Sequence, residues 1–243
     1  MRNVWTVAKR EFNMYFASPV AYVFAFVVLL VLGIFFYSDF GNAAAQQGSP
    51  DPTRTISLFV TLLLFFSPAV TMRLMAEEQR TGTIELLLTA PVREWELVTG
   101  KWLAAFGFVT ILIAASLIYA FILSRFVTPG LDLGLLAAAY LGLLLITAAL
   151  LAIGVFVSTL FTNQIAAFFG IMGVSLVLWV ISIPLQNASG PFASVVQYLD
   201  MSNHFYNNFF RGVIDVPDVV YFVSLAVLFL FLAARTVESR RWR

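Results

Sequence analysis

The chain has 243 residues, of which 61% are hydrophobic and only 11% are charged, and its mean hydropathy is +0.92. Soluble domains carry about 25% charged residues, so this composition excludes a soluble globular protein and indicates an all-α membrane protein. The net charge is only +1, and the basic residues lie at the ends of apolar stretches, which leaves no basic face for nucleic acid. The chain has no cysteine, which excludes disulfides and thiolate metal sites.

The N-terminal segment, residues 1–18, has the pattern of an amphipathic helix. Aromatic residues recur on one helical face of residues 4–16, while Lys9 and Arg10 lie on another. This pattern predicts an interfacial helix in the headgroup plane, which Pro19 separates from the first span. Two alternatives are a polar tail that contains aromatics and a secretory signal, although the next apolar stretch exceeds the roughly 7–15 residues of a signal.

Six apolar stretches are long enough for transmembrane helices, which need about 20 residues each. Their predicted bounds are residues 19–37, 56–73, 101–123, 133–156, 164–184 and 216–234. Only uncharged polar residues separate the fourth stretch from the fifth, which predicts a tight helical hairpin over residues 158–164. Small residues on the fifth stretch, namely Ala166, Gly170 and Gly173, would allow a close approach to a neighbouring helix.

The distribution of Lys and Arg predicts the orientation in the membrane. Of the 14 basic residues, only Arg54, Arg125 and Arg211 lie on the side opposite to the N-terminus. Because basic residues concentrate in cytoplasmic loops, both termini and the segment between the second and third spans are predicted to be cytoplasmic. The expected location is the cytoplasmic (inner) membrane, with a multi-pass topology.

The spans lack the ionisable and catalytic residues that several other classes of membrane protein need. No ionisable residue occurs between residues 133 and 199, whereas proton-coupled or ion-coupled carriers keep such groups at membrane depth. The single histidine, His204, lies in an outer loop, no serine has a base in evident reach, and no P-loop precedes Lys101. The chain is therefore predicted not to be an enzyme, and the energy for any pumping must come from a partner.

The charged segment 76–101, AEEQRTGTIELLLTAPVREWELVTGK, is where such a partner is expected to act. Residues 83–88 can form a short helix, because Ile84, Leu87 and Leu88 share one apolar face at positions i, i+3 and i+4. This face predicts a docking element. A turn that packs on the lipid headgroups is the alternative.

The flanks of this short helix carry suitable start and stop residues. Thr81 or Thr83 offers an N-cap, and Glu85 lies near the positive end of the helix dipole. Pro91 ends the helix and begins the next one.

The run of residues 75–92 resembles the loop between spans two and three of the ABC-2 type transporter permeases, in particular the gliding-motility-associated permease subfamily. The same subfamily is similar to this chain at residues 9–23, 154–168 and 204–215. The resemblance covers nearly the whole chain in order. The loop motif is its specific part, because apolar spans alone match many families.

The resemblance implies one ABC-2 transmembrane domain over residues 1–243. It comprises six transmembrane helices, an interfacial helix at residues 1–18, a cytoplasmic coupling helix within residues 76–101 between spans two and three, and short outer helices within residues 186–215 between spans five and six. The implied function is the permease subunit of an ATP-driven exporter. A role in gliding does not follow from the resemblance.

The resemblance also implies the partners. They are an ABC ATPase in two copies, a second permease subunit that is identical or related, membrane lipid, and in some systems an accessory subunit with an extracytoplasmic domain. No cofactor is expected on this chain, since ATP and Mg bind the partner ATPase, and no nucleic acid is expected.

Two sets of site residues follow from the resemblance. The ATPase-coupling set is Glu78, Arg80, Thr81, Gly82, Thr83, Ile84, Glu85, Leu87, Leu88 and Pro91. The outer-gate set is His204, Phe205, Phe209, Arg211 and Asp215. For the outer set, the alternative is a plain interfacial loop with aromatic anchors. His204 is predicted to be a hydrogen-bonded loop residue rather than a metal ligand, and Arg211 is predicted to pair with Asp215 at i, i+4.

Two other functions compete with the exporter. A stand-alone secondary transporter or channel requires an ionisable group at membrane depth, which the sequence lacks. A non-transporting scaffold that anchors a larger assembly predicts that residues 83–88 tolerate charge on their apolar face.

Overall fold

The computed structural model describes residues 2–45, 51–82, 93–126, 131–185 and 190–240, and all regular secondary structure in these ranges is helical. The α-helices in chain order are α1 (Arg2–Ala17), α2 (Pro19–Ala45), α3 (Pro52–Arg80), α4 (Glu94–Ser124), α5 (Leu133–Ser158), α6 (Gln164–Val180), α7 (Pro191–Leu199), α8 (Met201–Asn207) and α9 (Val216–Arg240). Short 3-10 turns follow α6 at Ile183–Leu185 and α8 at Phe209–Arg211. The all-α prediction is confirmed.

Six helices are long and apolar enough to cross a membrane: α2, α3, α4, α5, α6 with its following turn, and α9. Each contains one of the six predicted spans, and the predicted hairpin is confirmed, since α5 ends at Ser158 and α6 begins at Gln164. Asn163 caps α6 by accepting a hydrogen bond from the Ile165 amide at 2.8 Å.

Several helices continue beyond the predicted ends of the spans. The predicted break over residues 38–54 is shorter in the structure, because α2 continues to Ala45 and α3 begins at Pro52. Asp51 caps α3 and accepts a hydrogen bond from the Thr53 amide at 2.9 Å, while Pro52 occupies the first helical position. Helical backbone therefore extends past the apolar run at this end.

The segment between α3 and α4 is also shorter than the predicted loop at residues 76–101. The helix α3 continues to Arg80, and α4 begins at Glu94. Ala76 and Lys101, the predicted ends of the loop, are both buried within helices. Residues 76–80 are good helix formers without Gly or Pro, so nothing ends α3 before Arg80. The predicted coupling helix, residues 83–88, lies outside the described residues.

The helix α5 forms the centre of the bundle. It packs against α3, α4, α6 and α9, and it is the most buried of the six spans. Glycines allow the closest approaches: a Cβ on Gly154 would lie 2.7 Å from Thr71 Cβ on α3. A Cβ on Gly142 would lie 2.7 Å from the Phe209 ring.

The small residues of the fifth span divide into two groups. A Cβ on Gly170 would lie 2.8 Å from the Phe161 ring, so this position does require a small residue. Among the described residues no atom lies within 4 Å of a Cβ built at Gly173, so this glycine makes no close approach within the chain. The reason is that much of α6 faces away from the bundle.

The helix α1 lies along α4. Its packed face includes Ala8, Glu11 and Tyr15, and the Tyr15 ring stacks on Phe108 with centroids 5.0 Å apart. Burial raises the pKa of the Tyr15 hydroxyl, which is therefore neutral and donates a hydrogen bond to the Val70 carbonyl at 3.0 Å. The predicted helix is confirmed, and its place in the headgroup plane stays a prediction.

Candidate functional site

Three helices meet around a buried lysine. Lys101 of α4 is 2% exposed, and its Nζ lies 3.1 Å from Glu11 Oε1 on α1 and 2.7 Å from Glu78 Oε1 on α3. Arg10 Nη2 lies 2.8 Å from Glu11 Oε1 and 3.9 Å from Glu78 Oε1. We call these four residues the Lys101 cluster. Because a buried charge is strongly unfavourable without its partner, the cluster fixes α1, α3 and α4 relative to one another.

One hydroxyl joins the last turns of α3 to the end of α5. Ser158 Oγ is buried and accepts hydrogen bonds from the amides of Met75 and Ala76, both at 3.1 Å. It also donates to the Met72 carbonyl at 3.0 Å. Next to it, Gln79 Nε2 donates to the Thr159 carbonyl at 2.9 Å. The end of α3 is therefore tied to the central helix of the bundle.

The first turn of α4 is tied to α1. Glu96 Oε2 accepts a hydrogen bond from the Arg93 amide at 3.1 Å, which satisfies a backbone donor at the helix start. The same carboxylate oxygen accepts from Asn3 Nδ2 at 3.0 Å. Both helices that flank residues 83–92 thus have their ends held by specific polar contacts.

The predicted coupling residues lie partly within this region. Glu78 belongs to the Lys101 cluster, and Arg80 is the exposed last residue of α3. Thr81 caps the C-terminus of α3, since its amide and its hydroxyl both donate to the Glu77 carbonyl at 2.9 Å. Gly82 has a φ of 71°, the left-handed conformation that ends many helices. The remaining members lie outside the described residues: Thr83, Ile84, Glu85, Leu87, Leu88 and Pro91.

A cavity of about 600 Å³ opens beside the Lys101 cluster. Its walls come from α1, α3 and α4 and include Met14, Tyr15, Arg73, Glu77 and Thr81 in addition to the cluster. Charged groups of both signs therefore face the same space.

A second polar cluster lies at the opposite end of the bundle, around His204. Its Nδ1 lies 2.6 Å from Asp218 Oδ1 on α9, and its Nε2 lies 2.7 Å from the Tyr198 carbonyl. The imidazole also stacks on the Tyr221 ring with centroids 3.9 Å apart. His204 is hydrogen-bonded as predicted, but it lies in α8 and not in a loop. These contacts join the short helices α7 and α8 to the start of α9.

The other predicted outer-gate residues separate into buried and exposed groups. Phe205 and Phe209 are fully buried, whereas Arg211 and Asp215 are exposed. The expected ion pair between Arg211 and Asp215 is wrong, since no salt bridge joins these two described residues. Gly212, with a φ of 84°, ends the 3-10 turn after Arg211, so the two side chains do not share the face of a helix. A gating role for the set stays a prediction.

The sequence reasoning missed Glu11, Lys101 and Ser158 as contributors to this architecture. A signal for the first two was present: Glu11 is the only acidic residue before Asp39, and the chain has only one lysine besides Lys101. Isolated charges next to apolar spans are expected to find partners when buried. Ser158 gave no such signal, because a single serine at a helix end has many roles.

Residues 40–235 match the family model described as ABC-2 family transporter protein. The matched range includes α3 to α8 completely and most of α9. No curated protein matches the chain.

Proposed function

This chain belongs to the ABC-2 transporter family, and from that membership we propose that it is the permease subunit through which a separate ABC ATPase drives export. The family comprises the membrane components of ABC exporters, and the six apolar helices make this chain a multi-pass membrane protein. ABC-2 permeases generally work with an ABC ATPase. The finer proposal concerns how the energy of that partner enters the chain.

The observation that supports the coupling proposal is the anchoring of α3 and α4. Residues 83–92 lie between them in the sequence, and both helix ends are held, by the Lys101 cluster, by Ser158 and by Glu96. Force applied to this segment acts on helices that polar contacts join to α1 and α5. A docked ATPase that displaces residues 83–88 would therefore shift the centre of the bundle.

The proposed assembly contains two copies of the ATPase, which bind ATP and Mg, and a second permease subunit, identical or related. An accessory subunit with an extracytoplasmic domain and membership of the gliding-motility-associated subfamily are part of the same proposal. The concentration of Lys and Arg supports an inner-membrane location with both termini in the cytoplasm. Catalytic and cofactor groups are proposed to lie on the ATPase alone.

The coupling proposal is tested with the full-length chain and its co-expressed ATPase. Leu87→Asp places a charge on the apolar face of the predicted docking helix, and Gly82→Pro replaces a residue whose φ of 71° proline cannot adopt. We expect both variants to lose most of the bound ATPase and of the permease-dependent ATP turnover. Complex formation is measured by co-purification and turnover by phosphate release.

Leu160→Asp is the matched control, because Leu160 is an exposed leucine between α5 and α6, at the same end of the bundle. We expect it to bind and couple like the unmodified chain. If Leu87→Asp and Gly82→Pro also behave like the unmodified chain, residues 83–88 are not the docking element, and a scaffold function becomes the better account.

A further inference from the structure

Two opposite charges on α3 face the cavity beside the Lys101 cluster without pairing with each other. Arg73 and Glu77 are separated by four residues, a spacing at which such side chains commonly form a salt bridge. No salt bridge in the described part of the chain involves either residue. The Arg73 guanidinium instead lies over the Tyr15 ring, 5.1 Å from its centroid.

The other charged groups among the described residues that line the cavity already have partners. Glu11 and Glu78 both pair with Lys101, and Arg10 pairs with Glu11. Arg73 and Glu77 therefore remain as one cation and one anion available to a ligand, one helical turn apart. Met14, which is about half exposed, adds an apolar surface to the same cavity.

The position of Arg73 along α3 places it at the level of lipid headgroups. The run from Ile56 to Met72 has no charged residue and is about 25 Å long at the helical rise. This length approaches the roughly 30 Å thickness of the hydrocarbon core. Arg73 is the first charge after that run, so the cavity that contains it lies near the level of the lipid headgroups.

We propose that this cavity binds the headgroup of a zwitterionic phospholipid with a primary ammonium group, such as phosphatidylethanolamine. The planar guanidinium of Arg73 presents paired N–H donors to the phosphate oxygens. The Glu77 carboxylate accepts hydrogen bonds from the ammonium group. The Cβ atoms of residues at i and i+4 lie about 5–6 Å apart, a separation that suits a headgroup in which two carbon atoms link phosphate and ammonium.

The charge pattern favours this headgroup over its common alternatives. An anionic headgroup such as phosphatidylglycerol would satisfy Arg73 but would leave Glu77 beside a negative ligand. A trimethylated ammonium cannot donate hydrogen bonds to the carboxylate. The site therefore selects for a primary ammonium as well as for a phosphate, and this selection does not depend on an ATPase.

The test is lipid retention by the full-length protein. The purified chain is equilibrated with mixed micelles of equal amounts of phosphatidylethanolamine, phosphatidylglycerol and phosphatidylcholine, and retained lipids are counted by native mass spectrometry. We expect preferential retention of phosphatidylethanolamine. Arg73→Gln is expected to lower its retention about tenfold, because a charge-assisted contact to phosphate is lost. Glu77→Gln is expected to abolish the preference over phosphatidylglycerol while keeping phosphate binding.

Arg235→Gln is the matched control. The Arg235 guanidinium also lies 5.1 Å from the centroid of an aromatic ring, that of Phe231, but it pairs with Glu238 at 2.8 Å and does not line the cavity. We expect this variant to retain lipid like the unmodified chain. Arg73→Lys keeps the positive charge but lacks the planar guanidinium, so we expect it to lower phosphatidylethanolamine retention less than Arg73→Gln does. This variant replaces Arg73→Gln in the test if Arg73→Gln does not fold.

Three results would overturn the proposal. The first is equal retention of phosphatidylethanolamine and phosphatidylglycerol by the unmodified chain. The second is unchanged retention in both folded Arg73 variants. The third is tighter binding of free phosphoethanolamine than of phosphatidylethanolamine at equal concentration, which would show that the cavity takes a soluble molecule and not a membrane lipid.

Discussion

At the scale of a single residue, the environment of Lys101 in the structure differs from the one that the sequence suggests. In the sequence it ends a charged segment and suggests exposure to water. In the structure it is buried and bridges carboxylates from two other helices. Lys101 between the two acids, with Arg10 beside them, satisfies the requirement that buried charges be paired. The partners lie far from it in the chain, so local patterning could not identify them.

We predict that Lys101→Met destabilises the protein by about 3 kcal/mol, because Glu11 and Glu78 then lose their shared buried cation and keep only the half-exposed Arg10 nearby. The measurement is thermal unfolding of the detergent-solubilised protein. Lys9→Met is the control, since Lys9 is exposed on α1, and it should leave the midpoint nearly unchanged.

Replacing the acids as well should restore part of the loss in Lys101→Met. The variant Lys101→Met/Glu11→Gln/Glu78→Gln has no buried charge left from these three side chains. An unfolding midpoint for Lys101→Met equal to that of the unmodified chain would contradict the role assigned to the cluster.

At the scale of helices, Gly154 allows a close approach between α3 and α5. The backbone of α5 approaches Thr71 so closely at Gly154 that a methyl group has no space. On α6, by contrast, Gly173 faces open space. The two glycines look equivalent in the sequence, since each lies within an apolar span, and only the packing distinguishes them.

We predict that Gly154→Ala destabilises the protein by about 1–3 kcal/mol through overpacking against Thr71. Gly173→Ala should be neutral or slightly stabilising, because alanine restricts the unfolded chain and meets no obstacle here. Unfolding in increasing denaturant, followed by circular dichroism, compares the two. Equal effects from both substitutions would show that α3 and α5 are not in close contact at Gly154.

The existence of the helices could be predicted, but their packing could not. Span length and apolar composition are local properties, so the six spans were identified from the sequence. Helix α5 is apolar on every side, so no periodicity distinguishes its protein-facing positions from lipid-facing ones. Helix ends were missed where good helix formers continue past the apolar run, as at Arg80.

The candidate site was predicted less completely than the fold. Glu78, Thr81 and Gly82 were named from a motif, and the structure gives each a definite role at the end of α3. The hydrogen bonds of Ser158 to α3 could not be predicted from a sequence motif, since they join positions more than 80 residues apart. Contacts of such separation depend on the fold as a whole.

At the scale of the whole molecule, a polar network lies at each end of the bundle. The Lys101 cluster lies at one end, and the contacts of His204 with Asp218 lie at the other. Between them the spans are nearly free of charge. If all six candidate helices of the described residues cross the membrane, α1 and the end of α9 lie on the same side of it.

We predict that Ser239→Cys and Thr81→Cys label with a membrane-impermeant maleimide only after the cells are opened, whereas Asn207→Cys labels in intact cells. The three residues are exposed, and the absence of native cysteine removes background labelling. Labelling of Ser239→Cys in intact cells would show that the predicted orientation in the membrane is wrong.

The Lys101 cluster also sets an order of events during synthesis. Glu11 and Glu78 are made before Lys101, which follows Glu11 by 90 positions. Until the third span enters the membrane, both acids lack their common cation, and α1 lacks the helix against which it packs. The helix α1 therefore reaches its final position only after α4 has been made, although α2 and α3 lie between the two helices in the sequence.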